Sequence, residues 1–246
     1  MEWLVAGALA AFLGFLLYQE VTGQAGPQLP ALARKRLCDY TTGGSVWEDP
    51  ATAILRGTRL LEVHVYSDER DQPVVALKPL NEGYDYAEEN VSFESVCVSI
   101  ANDAFPSSDP FILSIVPHTQ KTVVMDRVTE HLLTTVRKHL VRLEGIAQAP
   151  IDKLANTLIL VGARTGSKLD DLLNLDWTGS DLRRLSYQQA LHPRDPSELM
   201  KFTRDHIALV APDVELKTVN ANPDRPRALG CQWNLYDRSV GFTERV

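Results

Sequence analysis

The chain has 246 residues, 44% of them hydrophobic and 23% charged, with a formal net charge of −7. Such a composition provides for a substantial globular core and excludes general disorder; the acidic balance, without a basic stripe interleaved with aromatics, excludes a phosphate-tracking nucleic-acid binder. Cys38, Cys97 and Cys231 lie far apart with no CxxC pair, so neither a zinc ribbon nor a disulfide framework is implied, and a reducing compartment fits.

From Trp3 to Tyr18 every residue is apolar or glycine, with aromatics at both ends. At the rise of an α-helix this run covers about 24 Å, a little short of a bilayer core, and it predicts a single transmembrane anchor over residues 1–21. A signal peptide and a buried core helix are the alternatives. The run opens on Glu2 and leads into Gln19-Glu20, without the basic start and small-residue cleavage site of a signal peptide. Arg34, Lys35 and Arg36 follow the run and nothing basic precedes it, which places the rest of the chain on the cytosolic or matrix-like side. Gly7 with Ala11, and Ala10 with Gly14, repeat small residues at a spacing that admits another helix. Residues 22–35, rich in Gly, Pro and Gln, read as a juxtamembrane linker.

Beyond the linker, short apolar runs alternate with longer amphipathic ones. Asp49 to Gly57 predicts a helix, with Asp49 as N-cap, Pro50 at the first position and Gly57 at the end. Leu60 to Tyr66 predicts a strand on which Glu62 and His64 share one face, and Gln72 to Leu77 a second strand after a polar turn. A helix capped by Ser92 is expected to Asp103, a strand from Pro110 to Val116, a long helix from Thr122 to Leu143 and a strand from Thr157 to Val161. Further on, helices are expected near Leu169–Leu173 and Pro196–Val210, and a strand near Cys231–Tyr236. Gly43-Gly44-Ser45 and Gly162–Gly166 read as ordinary loops. The order is that of an α/β sheet or barrel with parallel strands.

Several segments together resemble the catalytic core of eukaryotic phosphoinositide-specific phospholipase C. Ala53 to Tyr66 is similar to that family's "aL.rG.R.vElD.wdG" segment, and Ser92-Phe93-Glu94 through Ala104 to His118 to its "sF..v...I...AF..s.yPviLSlEnH". Asn156 to Gly162 resembles "gKilikG"; Phe202, His206, Leu209 and Pro212, then Leu229 to Leu235, resemble its Y-region motifs. The resemblance implies a distorted TIM-type (β/α) barrel over residues 36–246, with an X-like half at about 36–164 and a Y-like half at about 165–246, preceded here by the anchor.

The same resemblance implies two acid–base histidines and a calcium ion held by Asn, Glu, Asp and Glu. Leu37 to Thr42 stands against the first-histidine motif, and Leu77 against the second histidine. Of the calcium carboxylates only Glu62 is kept; His64 stands for the aspartate and Val116 for the third-strand glutamate. The substrate lysines fall on Val161 and Ala163, leaving Arg164, and the Y-region arginine finds no counterpart between Arg204 and Arg225. No catalytic residue, metal or cofactor is therefore expected, and Glu62, His64, Leu77 and Val116 read as vestigial positions. Glu62, His64 and His118 lack a third ligand at fixed spacing for a transition metal. The simpler expectation pairs Glu62 with His64 or Arg59 in a solvated mouth, with His118 as a loop residue.

The expected protein is a catalytically inactive phospholipase C-like subunit of a membrane-bound complex, with the other subunits and the bilayer as partners and no nucleic acid. An inner membrane such as the mitochondrial one is the expected location. A non-catalytic phosphoinositide or inositol-phosphate binder using Lys78 and Arg164, and a divergent phosphoric diester hydrolase, are the alternatives.

Overall fold

The computed structural model describes residues 35–79, 89–179, 181–213 and 220–241. The expected anchor, residues 1–21, and all but the last residue of the linker 22–35 lie outside these. Among the described residues, no helix is long and apolar enough to cross a membrane.

Eight parallel strands form the frame: β1 (Thr42–Val46), β2 (Leu60–Ser67), β5 (Phe111–Pro117), β6 (Leu158–Gly162), β7 (Leu175–Asp176), β8 (Leu182–Ser186), β9 (Ile207–Ala211) and β10 (Trp233–Asp237). They pair in the order β7-β6-β5-β2-β1-β10-β9-β8, so the described strands curl into a barrel that is open between β7 and β8. The expected α/β barrel of parallel strands is thus present. β3 (Pro73–Ala76) pairs antiparallel with the end of β2, and β4 (Asn90–Ser92) antiparallel with β3. A short turn can join antiparallel neighbours but cannot make a parallel crossover, so this excursion stands outside the barrel's alternation.

Strand alternation sorts side chains into two layers. Leu60, Ile112, Ile159, Leu182, Leu209 and Trp233 fill the lumen, while Leu61, Val63, Leu113 and Leu160 pack outward against the helices. Those helices are α1 (Pro50–Leu55), α2 (Phe93–Asp103) and α3 (Thr122–Thr135). Asp49 accepts from the Thr52 amide and Ser92 from the Ser95 amide, as the sequence predicts for both caps. Smaller helices α4 (Tyr187–Leu191), α5 (Pro196–Phe202) and α6 (Asp224–Ala228) cover the later strands.

The segment Gly43-Gly44-Ser45, expected as a loop, is the core of β1. A Cβ on Gly44 would lie 2.5 Å from the Leu60 carbonyl oxygen and 2.8 Å from the Leu235 side chain, so glycine lets β1 pass between its neighbours. The helix expected over Pro196–Val210 ends at Phe202, because Ile207 to Ala211 is buried on both faces as β9. The long helix stops at Thr135 instead of Leu143, where Thr134, Thr135 and Val136 form a β-branched run, and Leu140 bridges to Leu158. Leu169–Leu173 holds only the 3₁₀ turn Lys168–Asp171.

At the N-terminal ends of the strands, Leu37 and Cys38 plug the lumen. Arg36 locks this floor: its guanidinium donates to the Asp39 carboxylate, Gln148 Oε1 at 2.7 Å, Asp205 Oδ1 at 3.0 Å and the Arg204 carbonyl at 2.9 Å.

Candidate functional site

The C-terminal ends of the strands form the mouth, where enzymes of this architecture carry their chemistry. Glu62 and His64 both project into it, as the period of β2 requires. In the parallel ladder Glu62 lies beside Ser114 and His64 beside Val116 of β5. That register puts the Ser114 hydroxyl in position to donate to Glu62 Oε2 at 2.9 Å. The second neighbour comes from the far side of the lumen: Arg184 of β8 donates through Nη2 to Glu62 Oε1 at 2.7 Å and through Nε to Oε2 at 3.2 Å. His64 Nε2 donates to Oε1 at 3.2 Å. The pairing of Glu62 with His64 is as expected, but the site is buried: Glu62 is 2% and His64 3% exposed. Arg59 donates elsewhere, to the Ala104 carbonyl.

Burial by itself would raise the Glu62 carboxyl. The charge of Arg184 and the bonds from His64 and Arg184 outweigh it and hold the group below the usual carboxylate range. Burial lowers the His64 imidazole, against the opposing pull of Glu62. Both partners are therefore in the states their bonds require, an anionic carboxylate and a neutral ring.

With Nε2 donating to Glu62, His64 presents a lone pair on Nδ1, and His118 Nε2 lies 2.8 Å from it. The ring centroids are 5.0 Å apart and the planes 24° apart, so the rings meet edge to edge. His118 donates, which leaves its own Nδ1 unprotonated. Its ring is parallel to Tyr66 at 4.4 Å, its amide is bonded to the Val65 carbonyl, and loss of hydration lowers its pKa to about 4. A residue expected as plain loop is thus the solvent end of a chain running Arg184, Glu62, His64, His118.

Aromatic rings close over this chain. Trp47, at the end of β1, lies 3.7 Å from the His64 ring and is 8% exposed. It holds φ at 60°, a left-handed conformation that costs a bulky residue about 1–2 kcal/mol. Trp177 stands 5.7 Å from the Arg184 guanidinium carbon. Trp47 and Glu48 follow the first barrel strand; Glu48 is taken up by Ser45 at 2.8 Å and Arg56 at 3.1 Å.

The other expected positions do not join the centre. Leu77 follows β3, which runs back from the mouth, and its amide donates to the Glu89 carbonyl. Lys78 is exposed and paired with Glu89 at 2.6 Å, and Arg164 is exposed and paired with Asp176 at 3.1 Å. Val116 is half-buried. The arginine that reaches the centre is Arg184 of β8, which the sequence hid beside Arg183; the Y-region arginine sought between Arg204 and Arg225 is not what fills this place. The alternation of Leu182, Arg184 and Ser186 against Arg183 and Leu185 was the available signal: Arg183 points outward to Glu198, at 2.7 and 2.8 Å.

The calcium ion implied by the resemblance does not fit these residues. Calcium takes six to eight oxygens. Here both oxygens of the one retained carboxylate already accept two donors each, and the neighbouring places carry an imidazole and Val116.

No protein-family model and no curated protein matches the sequence. Solved structures do match the fold. PLC21 of S. officinalis superposes with a TM-score of 0.70 at 14% identity, over 83% of this chain and 34% of that one. PLC21 of L. pealei gives the same values. A calcium-dependent phosphoinositol-specific phospholipase C of Pseudomonas sp. superposes with a TM-score of 0.56 at 14% identity, over 84% of this chain and 92% of the other. The chain thus spans about a third of the PLC21 chains it matches. The likeness is one of fold: the chain shares the barrel of these structures.

Proposed function

We propose that this chain is a catalytically inactive phospholipase C-like barrel serving as a structural or accessory subunit of a membrane-bound assembly. The observation that carries the loss of activity is the saturation of Glu62 by Arg184, Ser114 and His64. A tethered guanidinium takes the charge that a divalent cation would take, and Trp47 covers the ring beside it. A phosphodiester hydrolysis that depends on calcium needs an oxygen cage, and the residues around Glu62 do not supply one.

The membrane part of the proposal rests on the run Trp3–Tyr18, its small-residue spacing and the basic residues that follow it. An organellar inner membrane such as the mitochondrial one, with the barrel on the matrix-like side, fits that pattern. The inositol-phosphate reading has less support, because Lys78 and Arg164 each already pair with a carboxylate.

The test is an assay of the full chain on phosphatidylinositol vesicles with calcium, together with native mass analysis of the protein purified from membranes. No release of cyclic inositol phosphate and co-purification with stoichiometric partners are expected. Calcium-dependent release abolished by Glu62→Gln, or a partnerless monomer, would overturn the corresponding half.

A further inference from the structure

The polypeptide joins the barrel at its floor. The Lys35 carbonyl accepts from the Ile151 amide at 2.8 Å, and the Leu37 amide donates to the Ala149 carbonyl at 2.9 Å. Ala149 and Ile151 belong to the segment that closes the N-terminal ends of the strands, where Ile146, Ile151 and Leu154 pack into the lumen core with Leu37. In sequence, the apolar run Trp3–Tyr18 ends 17 positions before Lys35. We infer that the floor is a docking surface for an anionic lipid bilayer and that the mouth, with Glu62 and His64, points away from the lipid. This rests on the membrane reading above, because a short tether favours contact through the face it leaves from.

The exposed chemistry of the floor fits that partner. α3 runs from the mouth to the floor and is followed by the turn Arg137–His139. His139 fastens the turn to the entry of β6: its Nδ1 donates to the Asn156 carbonyl at 2.9 Å and its ring stacks on Phe105 at 3.9 Å. Lys35, Arg137, Lys138, Arg142 and Lys153 are exposed and, among the described residues, form no ion pair. Their acidic neighbours are Asp109, Glu144 and Asp152, while Asp39 and Asp205 are taken by Arg36. In a chain of net charge −7 this is a local reversal of sign. Leu143, next to Arg142, is 45% exposed and offers an apolar side chain to the headgroup layer.

Clustered Lys and Arg beside a membrane-spanning segment are drawn to anionic headgroups. The attraction fades within a Debye length of about 8 Å, so it acts on a face that lies on the lipid. The rim of the mouth carries the other sign. Asp68 and Glu69 line the cleft beside His118 and form no ion pair among the described residues, while Lys121 is neutralised by Asp71 at 2.7 Å. A mouth so turned does not reach the headgroups of the bilayer beneath the floor, which accords with the closed Glu62 centre.

The test places the full chain in nanodiscs of phosphatidylcholine with phosphatidylserine, carrying a fluorophore on Ala155→Cys at the floor or on Glu69→Cys at the rim. Both positions are exposed, and Cys38, Cys97 and Cys231 are buried. A quencher attached to the lipid headgroups is expected to dim the floor label severalfold more than the rim label. The difference should be lost in Arg137→Gln/Lys138→Gln/Arg142→Gln and in discs of phosphatidylcholine alone, and kept in Arg137→Lys/Arg142→Lys; thermal melting verifies that each variant is folded. A rim label dimmed as strongly as the floor label would overturn the inference. So would floor dimming indifferent to lipid charge and to the triple variant, the result expected of cations that serve an acidic protein partner. Alkaline extraction from vesicles tests the membrane reading separately: a chain that washes off overturns that reading and this inference with it, whereas a retained chain whose rim meets the lipid overturns the docking surface alone.

Discussion

Arg184 and Glu62, 122 positions apart in the chain, grip each other across the lumen through two bonds of 2.7 and 3.2 Å. Removing the guanidinium leaves a buried carboxylate short of its main counter-charge. Arg184→Met is therefore expected to lower stability by about 3–5 kcal/mol. The double variant Arg184→Met/Glu62→Gln should recover much of that loss, since it buries no uncompensated charge. Urea denaturation of the two single variants and the double variant reads the coupling; additive losses would show that the pair does not act as a unit.

Calcium should leave the barrel's stability unchanged. A site with a dissociation constant of about 10 μM would add about 3.7 kcal/mol at about 5 mM ion, a shift easily seen in thermal melting. The saturated Glu62 predicts none of it. A calcium-dependent rise in melting temperature that Glu62→Gln removes would contradict this account of the mouth.

Acid should weaken the fold. Glu62, His64 and His118 all have folded pKa values below their ordinary ones, so the unfolded chain binds more protons on the acid side and stability falls as the pH is lowered. For His118 the window lies between its ordinary 6.5 and about 4. Melting temperature followed across that range should decline less steeply in His118→Gln than in the wild type. Equal slopes would mean that this ring is not held neutral by the fold.

Gly44→Ala tests the close approach of β1 to its neighbours. The added carbon would lie 2.5 Å from a backbone oxygen, which cannot swing aside as a flexible side chain could. A loss of about 3 kcal/mol or failure to fold is expected, whereas Gly145→Ala, with open space around its Cβ, should cost mainly the strain of its positive φ. Circular dichroism melts of both variants separate crowding from backbone strain.

Much of the barrel could be read in advance because its signals are local. Asp49-Pro50 and Ser92 start helices through short-range capping, and the run from Leu60 to Tyr66 alternates with the strand period that sends Glu62 and His64 to one face. β9 was hidden because Ile207 to Ala211 is buried on both faces and so lacks that alternation. β1 was hidden by two glycines, which read as a loop until Leu60 and Leu235 are seen pressing on Gly44 and Tyr236 on Gly43.

The site itself depended on contacts that no local pattern encodes. The sequence by itself determined that an acid and an imidazole would project together from β2. Only the tertiary structure decided what does surround them: Arg184 from β8, Ser114 and His118 from the β5 segment, and Trp47 from the end of β1. The reason is physical. Strand period fixes which way a side chain points, but its partner across the lumen is fixed by the register and closure of the whole sheet, which are set jointly by strands far apart in the chain.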